Sequence, residues 1–300
     1  ITTKIEHHAI LNTCAYLEKN GFEVTYLDVD SEGFVSLEDV ENAITEKTIL
    51  ISVMFANNEI GTIEPVCEIG EIAHKHGILF HTDAVQAMCH VPINVTEMNI
   101  DLLSASAHKF HGPKGVGFMY MKNSAKLEPF IHGGAQERAR RAGTSNVPGI
   151  VGMGQAVKLA LSTLDKDTHT IINMRNYIVD RILGEIPDVT FDGPCIDANA
   201  VSAGSPAGSL KRLPSNMHFC FKDVSGDSLL IMLDMNGICA SSGSACAAGS
   251  IDPSHVLLAI GRSKGETKGA LRLSIDKDLT KEDADYAIDA LKAAVARLRR

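Results

Sequence analysis

Two short segments gather polar chemistry at the ends of apolar runs. One is His81-Thr82-Asp83-Ala84-Val85-Gln86, and the other is Ser104-Ala105-Ser106-Ala107-His108-Lys109. Apolar runs of this length read as buried parallel strands, whose carboxyl ends form the ligand rim of open α/β sheets. A carboxylate, an amide, a hydroxyl, an imidazole and an amine therefore converge: Asp83, Gln86, Ser106, His108 and Lys109. An amine in that company suits a Schiff base to an aldehyde. With a carboxylate to keep a ring nitrogen protonated, the set points to pyridoxal 5'-phosphate (PLP).

Each residue also has a plainer reading. Lys109 could be a surface lysine, but it follows a buried run and precedes His111-Gly112-Pro113-Lys114-Gly115, whose glycines let backbone approach a ligand. Asp83 could merely cap the helical-looking Ala84-Val85-Gln86. Gln86, three residues on, shares its face and could donate to a ring phenolate. Asn57-Asn58-Glu59 ends the preceding strand, as a turn or as a ligand contact on the same rim. His7 and His8 are ambiguous: one could stack on a flat ring and the other be solvated.

Three further stretches carry potential chemistry. Gly133 to Thr144 is rich in Gly, Arg and hydroxyl groups, so it is either a surface turn or an anion-binding loop. Ser241 to Ser250 surrounds Cys246 with Ser, Gly and Ala, and a thiol on such a loop could travel to a site and leave it. Arg272 alternates with Leu271 and Leu273, so it faces away from their side, toward solvent or toward a substrate carboxylate. Cys14, Cys67, Cys89, Cys195, Cys220 and Cys239 sit in apolar settings and read as structural.

Alternating strand and helix signals position these groups. Strands are expected at Val24–Val29, Thr48–Phe55, Ile78–His81, Leu102–Ala105 and Gly115–Met121. Helices are expected from Ser36, whose capping pattern ends in Asp39, and over Pro65–His76. That alternation implies a mainly parallel sheet. Beyond Gly149 the texture changes: Ile150–Ile186 reads as helical with a break near Asp165-Lys166-Asp167. Strands at Val189–Phe191 and Asn216–Phe221, a helix at Asp227–Met235 and a final helix from Thr280 follow. The expected domains are 1–165, binding the cofactor, and 166–300, a smaller α+β unit carrying the cysteine loop at about 240–254. Asn199–Pro206 reads as a surface loop.

The 300 residues carry a net charge of −9, which argues against a general nucleic-acid binder. Seven scattered cysteines without a C-x-x-C pair make neither a disulfide framework nor a zinc site, and fit a reducing cytoplasm. No apolar run reads as long enough to cross a bilayer. The chain opens at Ile1 in what reads as a strand end, so an upstream segment is expected.

In order along the chain stand Glu6-His7-His8-Ala9, Asn57-Asn58-Glu59-Ile60-Gly61, the two rim segments, Gly134-Ala135-Gln136-Glu137-Arg138 through Gly143-Thr144, and Ser242-Gly243-Ser244-Ala245-Cys246. Together they resemble the cysteine desulfurases of the NifS/IscS type, fold-type I PLP enzymes of the class V aminotransferase group. The resemblance implies an α/β transferase fold with a seven-stranded-type sheet, helices on both faces and a smaller C-terminal domain. By it, Lys109 would carry PLP, Asp83 would pair with the ring nitrogen, and Gln86 with the ring oxygen. His7 would stack on the ring and move a proton. Ser106 and His108 would hold the phosphate, and Thr144 would reach the phosphate of a neighbouring subunit. Asn58 would touch cofactor and substrate, and Arg272 would bind the substrate carboxylate. Cys246 would take sulfur from L-cysteine as a persulfide and pass it to an iron–sulfur scaffold, ligating a transient cluster during transfer. No resident metal is implied. A cytoplasmic homodimer is implied. The family's upstream phosphate-binding turn is absent, and Ala135 stands where a third glycine is common. Rival readings are an aminotransferase or selenocysteine lyase on the same fold, a non-catalytic binding module, and a thiol sensor built on Cys239 and Cys246.

Overall fold

The computed structural model describes residues 1–196, 210–242 and 253–300. Its larger sheet contains β1 (Thr2–Thr3), β2 (Tyr26–Leu27), β3 (Leu50–Ser52), β4 (Leu79–Asp83), β5 (Leu102–Ser106) and β6 (Gly117–Met121), in the order 2-1-3-4-5-6. All pairings from β2 to β5 are parallel, and β6 runs antiparallel to β5. The sheet thus holds six strands among the described residues. β2, β3 and β6 are shorter than the runs expected for them, whereas β4 and β5 extend past theirs to Asp83 and Ser106.

Connections α1 (His8–Lys19), α2 (Leu37–Asn42) and α3 (Val66–Lys75) return the chain between parallel strands. Ser36 caps α2, its hydroxyl accepting from the Asp39 N–H. Val66, Ile69 and Ala73 bury one face of α3, and Gly77, at φ 70°, lets the chain leave the helix. Ile51, Val53, Ile69, Phe80 and Leu103 anchor the core between sheet and helices.

A short kinked turn, α4 (Gln136–Ala139), precedes α5 (Val147–Glu185). A second sheet, β7 (Val189–Phe191), β8 (Asn216–Phe221) and β9 (Ala270–Ser274), is antiparallel in the order 7-8-9. Helices α6 (Gly226–Asp234), α7 (His255–Ala259) and α8 (Lys281–Leu298) complete this part. Phe219, Phe221, Leu229, Leu271, Ile288 and Leu291 form its own core, closed by Ile178 and Ile182 of α5.

The break expected in α5 is not there. Asp165-Lys166-Asp167 contains no Gly or Pro, and Asp167 is satisfied without leaving the helix: it accepts from Thr163 Oγ1 at 2.6 Å and pairs with Lys277 at 2.8 Å. A boundary at 165/166 therefore falls inside one continuous helix of 39 residues. Its first half also departs from expectation. An 18-residue stretch is long and apolar enough to cross a membrane by length and composition, and only 6 % of it is buried. Its second half packs into the smaller core.

Candidate active site

Four site-bearing segments leave the carboxyl ends of adjacent parallel strands. His7 follows β1, Asn58 follows β3, Asp83 ends β4, and Ser106 ends β5 just before Lys109. Parallel pairing puts all four ends on one rim. Strand β6 meets that rim from the opposite direction, with Gly117 paired to Ser106. A Cβ on Gly117 would lie 2.5 Å from the Ala105 carbonyl oxygen, so only glycine lets these backbones approach.

Lys109 lies in a 3₁₀ turn, Ala107–Phe110, directly after β5. Its carbonyl oxygen accepts from His90 Nε2 at 2.9 Å, which fixes the turn. His111 ends the turn in the left-handed region, at φ 63°. The Lys109 amine makes no hydrogen bond or ion pair among the described residues. Ser106 Oγ and His108 Nδ1 lie 2.9 Å apart, so the two groups expected at a phosphate are mutually oriented.

Asp83 caps a turn and keeps one carboxylate oxygen open. Its Oδ1 accepts from the Val85 N–H at 3.0 Å, capping the turn that follows. Its Oδ2 has no hydrogen bond among the described residues. Gln86 sits in that turn, half-buried, rather than in a helix; Ala87 and Met88 donate back to the Ala84 carbonyl. Beneath Asp83 on the same face of β4 lies His81, which sequence reasoning passed over. Its Nδ1 meets Ser52 Oγ at 2.8 Å and its Nε2 meets Ser104 Oγ at 3.0 Å. Burial pushes its pKa down, so it stays neutral under the Asp83 carboxylate.

The Asn57-Asn58-Glu59 turn divides its labour. Asn57 is structural: its Oδ1 accepts from the Glu59 and Ile60 N–H groups, and its Nδ2 donates to the Ile5 carbonyl. Asn58, next to it, is half-buried. Gly61 closes the turn at φ 79°, with Asn216 Oδ1 only 2.6 Å from where a Cβ would stand. From the smaller unit, Asn216 Nδ2 donates to the Glu59 carbonyl at 3.0 Å, and Arg272 Nη1 to the Asn58 carbonyl at 2.9 Å. Arg272 thus faces the cleft and not open solvent.

His7 caps α1 with its ring: Nδ1 accepts from the Ala9 N–H at 3.1 Å. In the neutral ring the proton then sits on Nε2. Glu6, just before it, is fully buried; burial raises its pKa to about 8. Thr144 is exposed in the loop between α4 and α5. In that loop Glu137, Arg138 and Ala139 all take positive φ, and Gln136 Oε1 accepts from the Gly143 N–H. Cys246, with Ser244 and Ala245, lies outside the described residues, as does Asn199–Pro206. Two cysteines depart from the structural reading. Cys239 and Cys195 are exposed, the first beyond the Gly237 turn and the second beside Pro194.

A buried cluster, Asp192, His218 and Cys220, brings three ligand-type atoms within 4.8 Å of one another. Its atoms are already committed to one another. Asp192 Oδ2 accepts from His218 and Cys220, and Oδ1 from Arg262 at 2.6 Å. Burial drives the Cys220 thiol well above its ordinary pKa, so it is not a ready thiolate. These contacts make a buried hydrogen-bonded hub.

The rim's donor set fits PLP: an unencumbered amine, a carboxylate with an open oxygen, an amide, a half-buried imidazole, and a hydroxyl–imidazole pair. Comparison with known proteins agrees. Residues 1–287 match the family described as Aminotransferase class-V. The chain is 54 % identical over 299 residues to cysteine desulfurase IscS of Clostridium botulinum (strain Hall), spanning all of this chain and 72 % of that protein. It is 49 % identical to cysteine desulfurase IscS of Methanosarcina thermophila, again over all of this chain and over 70 % of that one. A solved structure titled NifS-like protein superimposes with a TM-score of 0.87 at 36 % identity, covering 99 % of this chain and 74 % of the other. The chain belongs to the class V aminotransferase family of PLP enzymes, in its cysteine desulfurase branch of the NifS/IscS type.

Proposed function

We propose that this protein converts L-cysteine to L-alanine, passing the sulfur to Cys246 as a persulfide and then to an acceptor protein for iron–sulfur cluster assembly. The observation that carries this reading is the Arg272–Asn58 contact, which sets the guanidinium read here as the carboxylate binder beside the rim that holds Asp83 and Lys109. Bound there, PLP supplies an electron sink that acidifies the Cα–H of an amino acid joined to it. Lys109 Nζ would hold the cofactor and, as a free amine, would take the Cα proton and later return a proton to the substrate. Asp83 would keep the ring nitrogen protonated, Gln86 and Asn58 would donate around the ring, and Ser106 and His108 would hold the phosphate. Arg272 fixes the substrate carboxylate with a planar fork of donors.

The sulfur step belongs to Cys246. Its thiolate attacks the substrate sulfur. A sulfur–sulfur bond forms, the Cβ–S bond breaks, and that electron pair stays on carbon, which gains a proton and becomes the methyl group of alanine. His7, with Nδ1 committed to Ala9, has Nε2 for moving a proton at the thiol. An acceptor thiolate then takes the outer sulfur, or a transient iron–sulfur cluster is held at Cys246 during transfer.

The working form in this reading is a cytoplasmic homodimer. Support comes from the exposed apolar residues of α5, Val147, Ile150, Val151, Leu159 and Leu161, a patch of the kind that marks an interface. The exposed Thr144 is then free to reach the partner's phosphate. Seven cysteines without a disulfide pattern fit a reducing compartment. Anaerobic incubation with PLP, L-cysteine and a thiol reductant tests the reaction: alanine and sulfide form in equal amounts. A keto acid in place of alanine would assign an aminotransferase instead.

A further inference from the structure

Ser254 and His255 are the cap and first residue of α7, and they lie just beyond the segment that carries Cys246. Both reach across to the rim. Ser254 Oγ donates to Glu59 Oε2 at 2.6 Å, beside Asn58. His255 Nε2 donates to the Glu6 carbonyl at 2.9 Å, 249 residues away in sequence. That carbonyl belongs to the peptide group joining Glu6 to His7, so the bond fixes the plane from which His7 departs. The His255 ring also packs edge-on against His8, with centroids 4.6 Å apart.

The His7 side chain is then held at both ends. Its backbone plane is set by His255, and its ring is set by the Nδ1 contact to Ala9. Histidine is not a favoured helix cap, so the α1 terminus spends its cap position on orienting an imidazole. The surroundings keep His255 a neutral donor. Burial pushes its pKa down; the groups facing it are Glu6 through its carbonyl, Glu59, His8 and His7.

We infer that His255 is a positioning residue for His7. It sets the ring against the cofactor and ties that geometry to the chain that leads from Cys246. This rests on the reading of His7 as the residue stacked on PLP. A held peptide plane costs nothing at the moment of reaction, whereas a freely rotating one loses the near-attack geometry.

The test uses the PLP-loaded enzyme with His255→Phe, His255→Gln, His7→Ala and the double variant His7→Ala/His255→Phe. Phe keeps the ring packing on His8 and deletes the donor; Gln restores an N–H donor. The readouts are the PLP dissociation constant, the visible band of bound PLP, and kcat and KM for L-cysteine. His255→Phe is expected to weaken PLP binding and lower kcat, each about tenfold, the scale of one hydrogen bond, with KM within about twofold and the visible band shifted. His255→Gln recovers most of both. In the His7→Ala background the Phe substitution adds nothing, because the residue it positions is gone. His255→Phe matching the wild type, or its losses adding in full to those of His7→Ala, overturns the inference and leaves the reading of His7 standing. A His7→Ala enzyme with unchanged spectrum, PLP affinity and kcat overturns that reading, and the inference with it.

Discussion

Arg272 Nη1 donates to the carbonyl oxygen of Asn58 at 2.9 Å, joining a strand of the smaller unit to the turn after β3 across 214 residues of chain. The same arginine's backbone exchanges hydrogen bonds with Ser241, the first residue of the stretch that carries Cys246. One residue therefore touches the proposed carboxylate site, the Asn58 turn and the root of the sulfur-carrying segment. The proposed site is assembled between two cores, and Arg272 links the Asn58 turn to Ser241.

Replacing Arg272 with Lys keeps the charge but loses the fork. A lysine amine cannot both hold the Asn58 carbonyl and pair with a carboxylate in two directions. The KM for L-cysteine is expected to rise about 10- to 100-fold, the range for a charged hydrogen bond, with kcat changing less. Steady-state alanine formation measures it. An unchanged KM would remove Arg272 from the carboxylate site.

Lys109→Arg retains a cation and removes the amine that can link to an aldehyde. The variant mixed with PLP should lack the visible band that borohydride erases in the wild type. Alanine formation should fall by at least about 10²-fold, the lower bound for losing a positioned acid–base group. A borohydride-stable adduct forming on another lysine would contradict the assignment.

Two buried glutamates give the fold a pH signature. Burial raises both Glu6 and Glu64 to about 8, and Glu64 Oε2 still accepts from the Val35 N–H. An unfolded glutamate loses its proton near 4.5, whereas the folded chain holds it to about 8. Stability is therefore full below pH 4.5 and falls as pH rises through 8. Glu64→Gln keeps an acceptor and cannot ionise. It should flatten that decline, gaining on the order of 2 kcal/mol at pH 8.5 and little at pH 5. Thermal melts across this range check the sign; a variant less stable at pH 8.5 than at pH 5 by the wild-type margin would exclude Glu64 as a cause.

Much of this site was legible in the sequence because function sits where apolar runs stop. His81 to Gln86 and Ser104 to Lys109 announced strand ends, and parallel pairing did the rest. What stayed hidden depended on contacts far apart in sequence. His255 and Ser254 carry no local signal; their roles exist only through Glu6 and Glu59. The continuity of α5 was hidden for the opposite reason: a charged Asp-Lys-Asp run resembles a loop until Thr163 and Lys277 are seen to satisfy it. Cys239 stood in an apolar strand end and read as structural, yet among the described residues the chain there forms an isolated bridge, Ser241 to Arg272, and leaves the thiol exposed.

Cys246→Ser separates the two halves of the chemistry. The variant should bind PLP and L-cysteine with the wild-type visible spectrum, because the hydroxyl does not alter the rim, while alanine and sulfide production fall at least about 10²-fold. An aminotransferase would lose little. Retention of sulfide release would move the nucleophile elsewhere, with exposed Cys239 the first place to look.

The most direct measurement is peptide mass spectrometry on the PLP-loaded enzyme after brief anaerobic exposure to L-cysteine without reductant. The peptide containing Cys246 should gain the mass of one sulfur atom, in a yield equal to the alanine released. Alanine release without that added mass, or the added mass on a different cysteine, would contradict the account.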